Sequence, residues 1–233
     1  MRNLFFACAI SLVSCFSLAE SVQQNLSDQE QLLIDHVERS LSFAGIGVSG
    51  LSSQVLQIEG MSSPKVRHLL NNLGSLPGTN YLEVGLWKGS TWISTLYGND
   101  DTINSAIGID SWDEIAPISF YENWQQFISN SRGQLYEVNC FNIDKGVFKK
   151  PVNLFFYDAE FDINKALTFF DDVLDDAFIL LVDDWNFQQV QETTRQGIQD
   201  LGYNVLLEYI LPAQTIGDLD LWWNGLYLAV IRK

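Results

Sequence analysis

The chain has 233 residues, 47% hydrophobic and 13% aromatic, enough for one domain with a sizeable core and too apolar for disorder throughout. Its 29 Asp plus Glu against 13 Lys plus Arg give a formal charge of −16, which excludes general binding to phosphate backbones, so no nucleic-acid partner is expected. Three cysteines exclude a disulfide scaffold, and no apolar run reaches the ~20 residues of a transmembrane helix.

Arg2 is followed by an apolar stretch, residues 4–16, of the length of a secretory signal core. Ser17-Leu18-Ala19 then places small residues where a signal peptidase reads. Residues 1–19 are therefore expected to be a signal peptide, and the protein to be exported: periplasmic, secreted or lipid-anchored. Leu12-Val13-Ser14-Cys15 also resembles a bacterial lipobox, in which residues 1–14 are removed and Cys15 carries a lipid anchor. The third reading is an uncleaved helix packed on a cytoplasmic domain. Cleavage after Ala19 would remove Cys8 and Cys15 and leave Cys140 alone, with no internal disulfide.

Residues 20–76 are expected to form an N-terminal helical segment. Ser27-Asp28-Gln29-Glu30 has the pattern of a capping box. Leu33, Ile34, Val37 and Leu41 then predict a helix over 31–43. The glycines and serines of 44–53 predict a loop or an entry segment over the site. Ser63-Pro64 opens a second helix, through about residue 73, and Pro77-Gly78 is a turn.

From residue 77 onward, strands alternate with helices. Strands are expected at 81–85, 106–110, 135–140, 152–157, 178–182, 205–211 and 226–231. Helices are expected at 90–97, 120–129, 164–174 and 188–201, with Asp171, Asp172, Asp175 and Asp176 as a solvated helix end. The alternation predicts an α/β fold, an open sheet with helices on both faces.

Ligands of such sheets bind at the carboxyl ends of the strands. The first strand leads into Glu83-Val84-Gly85-Leu86-Trp87-Lys88-Gly89-Ser90, whose two glycines permit a sharp turn and a close backbone approach. Glu83 departs from the Gly-x-Gly-x-x-Gly dinucleotide fingerprint, and a carboxylate there suits an amino-acid ammonium group better than a pyrophosphate. Asp110 ends the second strand, 25 residues past Gly85, where an acid can accept both ribose hydroxyls of an adenosine. Trp112 either offers its face to the adenine or packs in the core. Cys140-Phe141-Asn142 is a weaker candidate for the adenine edge. Asp158 ends the fourth strand and Asp183-Asp184 the fifth. Residues 158–184 hold nine acids and one lysine, half of the net charge.

Glu83-x-Gly85-x-x-x-Gly89 with Asp110 at the end of the next strand resembles the class I S-adenosylmethionine-dependent methyltransferases. The runs Gly60-Met61-Ser62-Ser63, Tyr81-Leu82-Glu83-Val84-Gly85, Asp183-Asp184-Trp185-Asn186 and Trp222-Trp223-Asn224-Gly225 resemble a bacterial group described only as such methyltransferases. The resemblance covers about residues 60–233. It implies a Rossmann-like seven-stranded sheet with an antiparallel last strand, and an S-adenosylmethionine-binding domain over 77–233. By the resemblance, Glu83, Gly85, Gly89 and Ser90 hold the methionine end of the cofactor, Asp110 the ribose and Trp112 the adenine.

In catechol-type and macrolide-type O-methyltransferases, acids at the ends of strands four and five hold Mg²⁺, which binds the substrate's oxygens. By that resemblance Asp158, Asp183 and Asp184 are the metal candidates. Asp158, Glu160 and Asp184 are the catalytic candidates for a small hydroxylated acceptor, and the fold allows a homodimer. Those enzymes often carry Lys or His three residues after the strand-four Asp. Phe161 stands there in this chain and leaves Glu160 as the local substitute. His68 either reaches the site or is structural, and Trp185, Trp222 and Trp223 are divided between pocket wall and core. S-adenosylmethionine is made in the cytosol. Phe161 and the export signal therefore raise one alternative, a non-catalytic binding protein on the same fold.

Overall fold

The computed structural model describes residues 25–112, 116–128 and 132–233. The expected signal peptide, the lipobox and Cys15 lie outside the described residues.

Helix α1 (Asp28–Gly45) begins with the capping box its sequence predicts. The Glu30 backbone N–H donates to Ser27 Oγ at 3.2 Å, and the Ser27 N–H donates to Glu30 Oε2 at 2.6 Å. Glu30 also pairs with Arg232, so the first helix is tied to the last strand. A single-turn helix α2 (Ser53–Leu56) follows, then α3 (Pro64–Gly74), with proline at its first turn.

Seven strands form one sheet: β1 (Thr79–Val84), β2 (Ile103–Asp110), β3 (Gly133–Glu137), β4 (Val152–Tyr157), β5 (Leu174–Val182), β6 (Asn204–Leu211) and β7 (Leu226–Arg232). Their order is β3-β2-β1-β4-β5-β7-β6. β1 to β5 pair in parallel, and β7 runs antiparallel to both β5 and β6. The expected seven-stranded α/β sheet with an antiparallel last strand is therefore present.

Side chains alternate across the sheet, as strand geometry requires. Tyr81, Leu154, Phe156, Ile179, Leu181, Leu228 and Val230 face the core built on α1, α3 and α4 (Ser90–Leu96). Leu82, Val84, Phe155, Phe178, Leu180, Tyr227 and Ile231 face the core built on α6 (Ile163–Phe170) and α7 (Gln188–Asp200). Helix α5 (Ala116–Phe127) joins the first layer through Phe120. The N-terminal helices thus share a core with the sheet, since Leu33, Val37, Leu69 and Leu70 belong to the first layer.

Three local expectations need correction. Cys140 lies past the end of β3, in a 3₁₀ turn with Phe141 and Asn142, because the strand stops at Glu137. Helix α6 ends at Phe170, and Leu174 already opens β5. Asp171 and Asp172 therefore sit in a 3₁₀ turn, whereas Asp175 and Asp176 belong to the outer end of β5. Ladder pairing carries the strand start earlier than the acids suggest, since Leu174 pairs with Val152 of β4 and Ala177 with Arg232 of β7.

Candidate functional site

The sheet order reverses between β1 and β4, and the crevice between their carboxyl ends is where an open α/β sheet binds ligands. Gly85 lies at its base with φ +93°, and a Cβ there would fall 1.7 Å from the Asp158 carbonyl oxygen. Only glycine permits this approach of the two chain segments. Leu86 and Trp87 then turn back over the end of β2. The Leu86 and Trp87 N–H groups donate to Asp110 Oδ2 at 2.7 and 2.8 Å, and the Trp112 N–H donates to Oδ1 at 2.8 Å. Asp110 thus fixes the turn and still reaches the space beside it.

Two cavities meet at Asp110. The larger, about 230 Å³, is walled by Met61, Leu86, Trp87, Ser90, Thr91 and Asp158. The smaller, about 80 Å³, runs toward Ser111, Val138, Asn139, Cys140 and Glu160. Both touch Gly85, Asp110 and Ala159, so together they form an elongated trough bent around an acid.

Several expected site residues do stand on this trough: Gly85, Ser90, Asp110, Asp158 and Glu160. Glu83 does not. It is fully buried behind the wall, where Tyr81 Oη and Thr91 Oγ1 donate to its carboxyl. Burial pushes that carboxyl up to about 8, against the lowering effect of the Thr91 and Tyr81 hydrogen bonds. Glu83 therefore meets the cavity only through Thr91. Gly89 also stays off the wall; a Cβ there would lie 2.8 Å from the Phe120 ring, so its role is close packing of α4 on α5. Trp112 is a core residue: its ring packs against Phe120 at 5.0 Å and its Nε1–H donates to the Trp87 carbonyl at 2.9 Å. Met61, Thr91, Val138 and Asn139 complete the trough; Met61 lies in the run 60–63, whereas no sequence pattern singles out Val138 and Asn139 as site residues. Thr91 carries a readable signal all the same, since it follows Ser90 in the turn that the glycines open.

The ends of β4 and β5 are built differently. Asp183 is 3% exposed, and its Oδ1 accepts the Asp184 N–H at 2.8 Å. Asp184 has a left-handed backbone, φ +61°, and its Oδ1 accepts from Asn224 Nδ2 at 2.7 Å. The backbone continues the clasp. Trp185 N–H donates to the Gly225 carbonyl at 2.9 Å, and Asn186 N–H to the Asn224 carbonyl at 2.8 Å. The two sequence runs 183–186 and 222–225 are thus one structural unit. Burial first, and the neighbouring acids next, push Asp158 up to about 8 and Asp183 well above the usual carboxylate range. The crevice among Asp158, Asp183 and Asp184 is about 10 Å³, at the lower limit of what holds one water.

Phe161 stacks on Phe187 with ring centroids 5.2 Å apart, at the outer edge of that crevice. His68 stays away from the site; its Nδ1 lies 2.7 Å from Ser49 Oγ, so it anchors the loop after α1. That loop packs on α3, where the Gly50 N–H donates to Asn71 Oδ1 at 2.9 Å. Trp185 and Trp222 are core residues, Trp185 stacked on Tyr227 at 4.5 Å, and Trp223 packs against the first core layer.

No protein-family model and no curated protein matches the sequence. Solved structures do match the fold. A caffeoyl-CoA O-methyltransferase candidate from Staphylococcus aureus aligns with a TM-score of 0.55 at 16% identity, over 88% of this chain and 99% of that one. The S-adenosylhomocysteine-bound methyltransferase PaMTH1 of Podospora anserina gives 0.55 at 16% identity, over 89% of this chain and 88% of its own. A methyltransferase candidate from Thermoplasma acidophilum gives 0.51 at 15% identity, over 68% of this chain and 69% of its own. The chain has the class I methyltransferase fold.

Within this methyltransferase fold, the donor set of the trough suits S-adenosylmethionine. That cofactor carries a ribose diol, an ammonium and a sulfonium, and the trough offers the carboxyls of Asp110 and Asp158. The Mg²⁺ set does not fit. Mg²⁺ demands octahedral oxygen ligands and keeps several waters. Asp183 is packed against backbone, Asp184 is held by Asn224, and the space between them admits about one water. Among the described residues, no group of three or more His, Cys, Asp or Glu is disposed to hold a metal ion.

The four described non-glycine residues with left-handed backbone are Trp87, Trp112, Asp184 and Trp223. All stand at the same edge of the sheet, after β1, β2 and β5 and before β7. Such backbone costs of order 1–3 kcal/mol each and clusters at functional edges.

Proposed function

We propose that the protein is an S-adenosylmethionine-dependent methyltransferase acting on a small hydroxylated acceptor. The observation that carries this reading is the bent trough around Asp110, at the switch point of a methyltransferase sheet. S-adenosylmethionine, when bound, supplies an electrophilic methyl group. Asp110 receives the ribose hydroxyls, with its carboxylate already oriented by three backbone N–H groups. Val138 and Asn139 flank the adenine, and Ser90, Thr91 and Asp158 surround the methionine end. Asp158 reaches both the trough and the crevice toward Asp184, so it is the carboxyl placed to take the acceptor's proton. Glu160, exposed at the rim, is the second proton acceptor within reach. Because methyl transfer is an in-line displacement, such positioning supplies much of the rate. No step requires a metal ion.

A second reading is a binding protein that keeps the trough and has lost transfer. Phe161 favours it, since its ring stacks on Phe187 beside the crevice where related enzymes carry a base. Export through the N-terminal segment fits it too, because the cofactor is made in the cytosol. The two readings separate in one experiment: incubation with S-adenosylmethionine and a panel of small hydroxylated acceptors, then quantification of S-adenosylhomocysteine. Turnover that stops in Asp158→Asn supports the enzyme. Tight cofactor binding with no product from any acceptor supports the binding protein.

A further inference from the structure

Arg67 is 4% exposed, in the second turn of α3. Among the described residues no ion pair neutralises it. The nearest acid along the chain, Glu59, turns outward and pairs with Lys88 at 2.6 Å. Burial draws the Arg67 guanidinium down to about 10, so it remains a cation at neutral pH. A buried charge without a counter-charge is costly, even when its N–H groups are satisfied. Here its neutral acceptors are the carbonyls of Leu56, Ile58 and Ser62, and Ser62 Oγ, which accepts from Nε at 2.9 Å.

The same serine leads to the trough. Ser62 Oγ lies 3.1 Å from Ser90 Oγ, and Ser90 lines the larger cavity. Gly60 allows the three to pack together: a Cβ there would lie 1.9 Å from Ser90 Oγ and 2.9 Å from Arg67 Nη2. The side-chain carboxyls on that cavity's wall, Asp110 and Asp158, suit a ribose, an ammonium and a sulfonium. Asp110 repels the one anionic group of the cofactor, its α-carboxylate, and burial keeps Asp158 largely protonated.

We infer that Arg67 is the positioning residue for that carboxylate, its positive charge acting through the buried Ser62 hydroxyl on Ser90, which stands on the wall of the cavity. This inference rests on the methyltransferase reading. The Ser90 hydroxyl donates to the carboxylate while Ser62, held by Arg67, donates to Ser90. The carboxylate is the counter-charge that α3 itself lacks. The site thereby selects for the amino-acid half of the ligand, independently of how it binds the nucleoside half.

The test compares two ligands on the full-length protein by calorimetry: S-adenosylhomocysteine, and 5′-methylthioadenosine, which keeps the nucleoside and thioether but has no amino-acid group. Arg67→Met should weaken S-adenosylhomocysteine on the order of 30-fold and leave methylthioadenosine within about twofold. Arg67→Lys should restore part of the loss. Ser62→Ala keeps the bonds of Arg67 to Leu56 and Ile58, and serves where Arg67→Met does not fold. It should show a smaller loss, again confined to S-adenosylhomocysteine. Equal losses for both ligands, or no loss for either, would overturn the inference and reduce Arg67 to a fastener of the 56–62 loop. A wild-type protein that binds neither ligand would instead overturn the methyltransferase reading.

Discussion

Aspartates end both the β1–β2 side and the β4–β5 side of the same sheet edge, yet the two sides are built for different tasks. Asp110 accepts three backbone N–H groups and still borders two cavities. Asp183 and Asp184 also accept hydrogen bonds, but their partners close the space around them, leaving about 10 Å³. The difference lies in the segment that leaves each strand. After β1 the glycine turn opens a gap, whereas after β5 the chain is zipped to the 222–225 segment. An acid at a strand end is thus a ligand candidate only when its neighbours leave room.

The largest test of this contrast is Gly85→Ala. The added methyl would meet the Asp158 carbonyl in a backbone that disfavours L side chains, so urea unfolding should show a loss of about 4 kcal/mol. Gly202→Ala, at φ +68° with open space around it, should lose about 1 kcal/mol. Comparable losses would deny the close approach at the trough.

Asp110→Ala should weaken S-adenosylhomocysteine about 100-fold, while Asp184→Ala should change it less than about threefold. Equal effects in titration calorimetry would erase the distinction between the two sides. Asn224→Ala cuts the bond to Asp184 Oδ1 and should lower stability by about 1–2 kcal/mol without changing ligand affinity. A loss of affinity there would make the clasp part of the binding site.

The last test concerns pH. Burial raises Glu83 from 4.5 to about 8, so the folded chain holds this proton more tightly than the unfolded chain. Its stabilisation is full below 4.5 and is lost as the pH rises through about 8. The stability difference between wild type and Glu83→Gln should therefore shift against the wild type from pH 5 to pH 8. A difference that stays constant would mean that Glu83 is ionised in the folded chain throughout.

The sheet is legible in the sequence because its signals are local. Apolar strands, Gly85 before a turn and Asp110 one strand later follow from period and spacing, and the capping box at Ser27 is a four-residue pattern. The failures are non-local. Nothing near Trp112 announces that Phe120 covers its ring, and nothing near Asp184 announces Asn224, 40 residues away. Glu83 resembles a ligand-facing acid in its motif, yet as a strand residue it points into the layer that holds Tyr81 and Thr91. Arg67 carries no motif at all; its interest comes from burial without a counter-charge.

The most direct test of the central claim is calorimetric titration of the full-length protein with S-adenosylhomocysteine, with and without Mg²⁺, beside Asp110→Ala. The expected result is micromolar binding that is unchanged by Mg²⁺ and lost in the variant. Absence of binding by a folded sample, or binding that appears only with Mg²⁺, would contradict it.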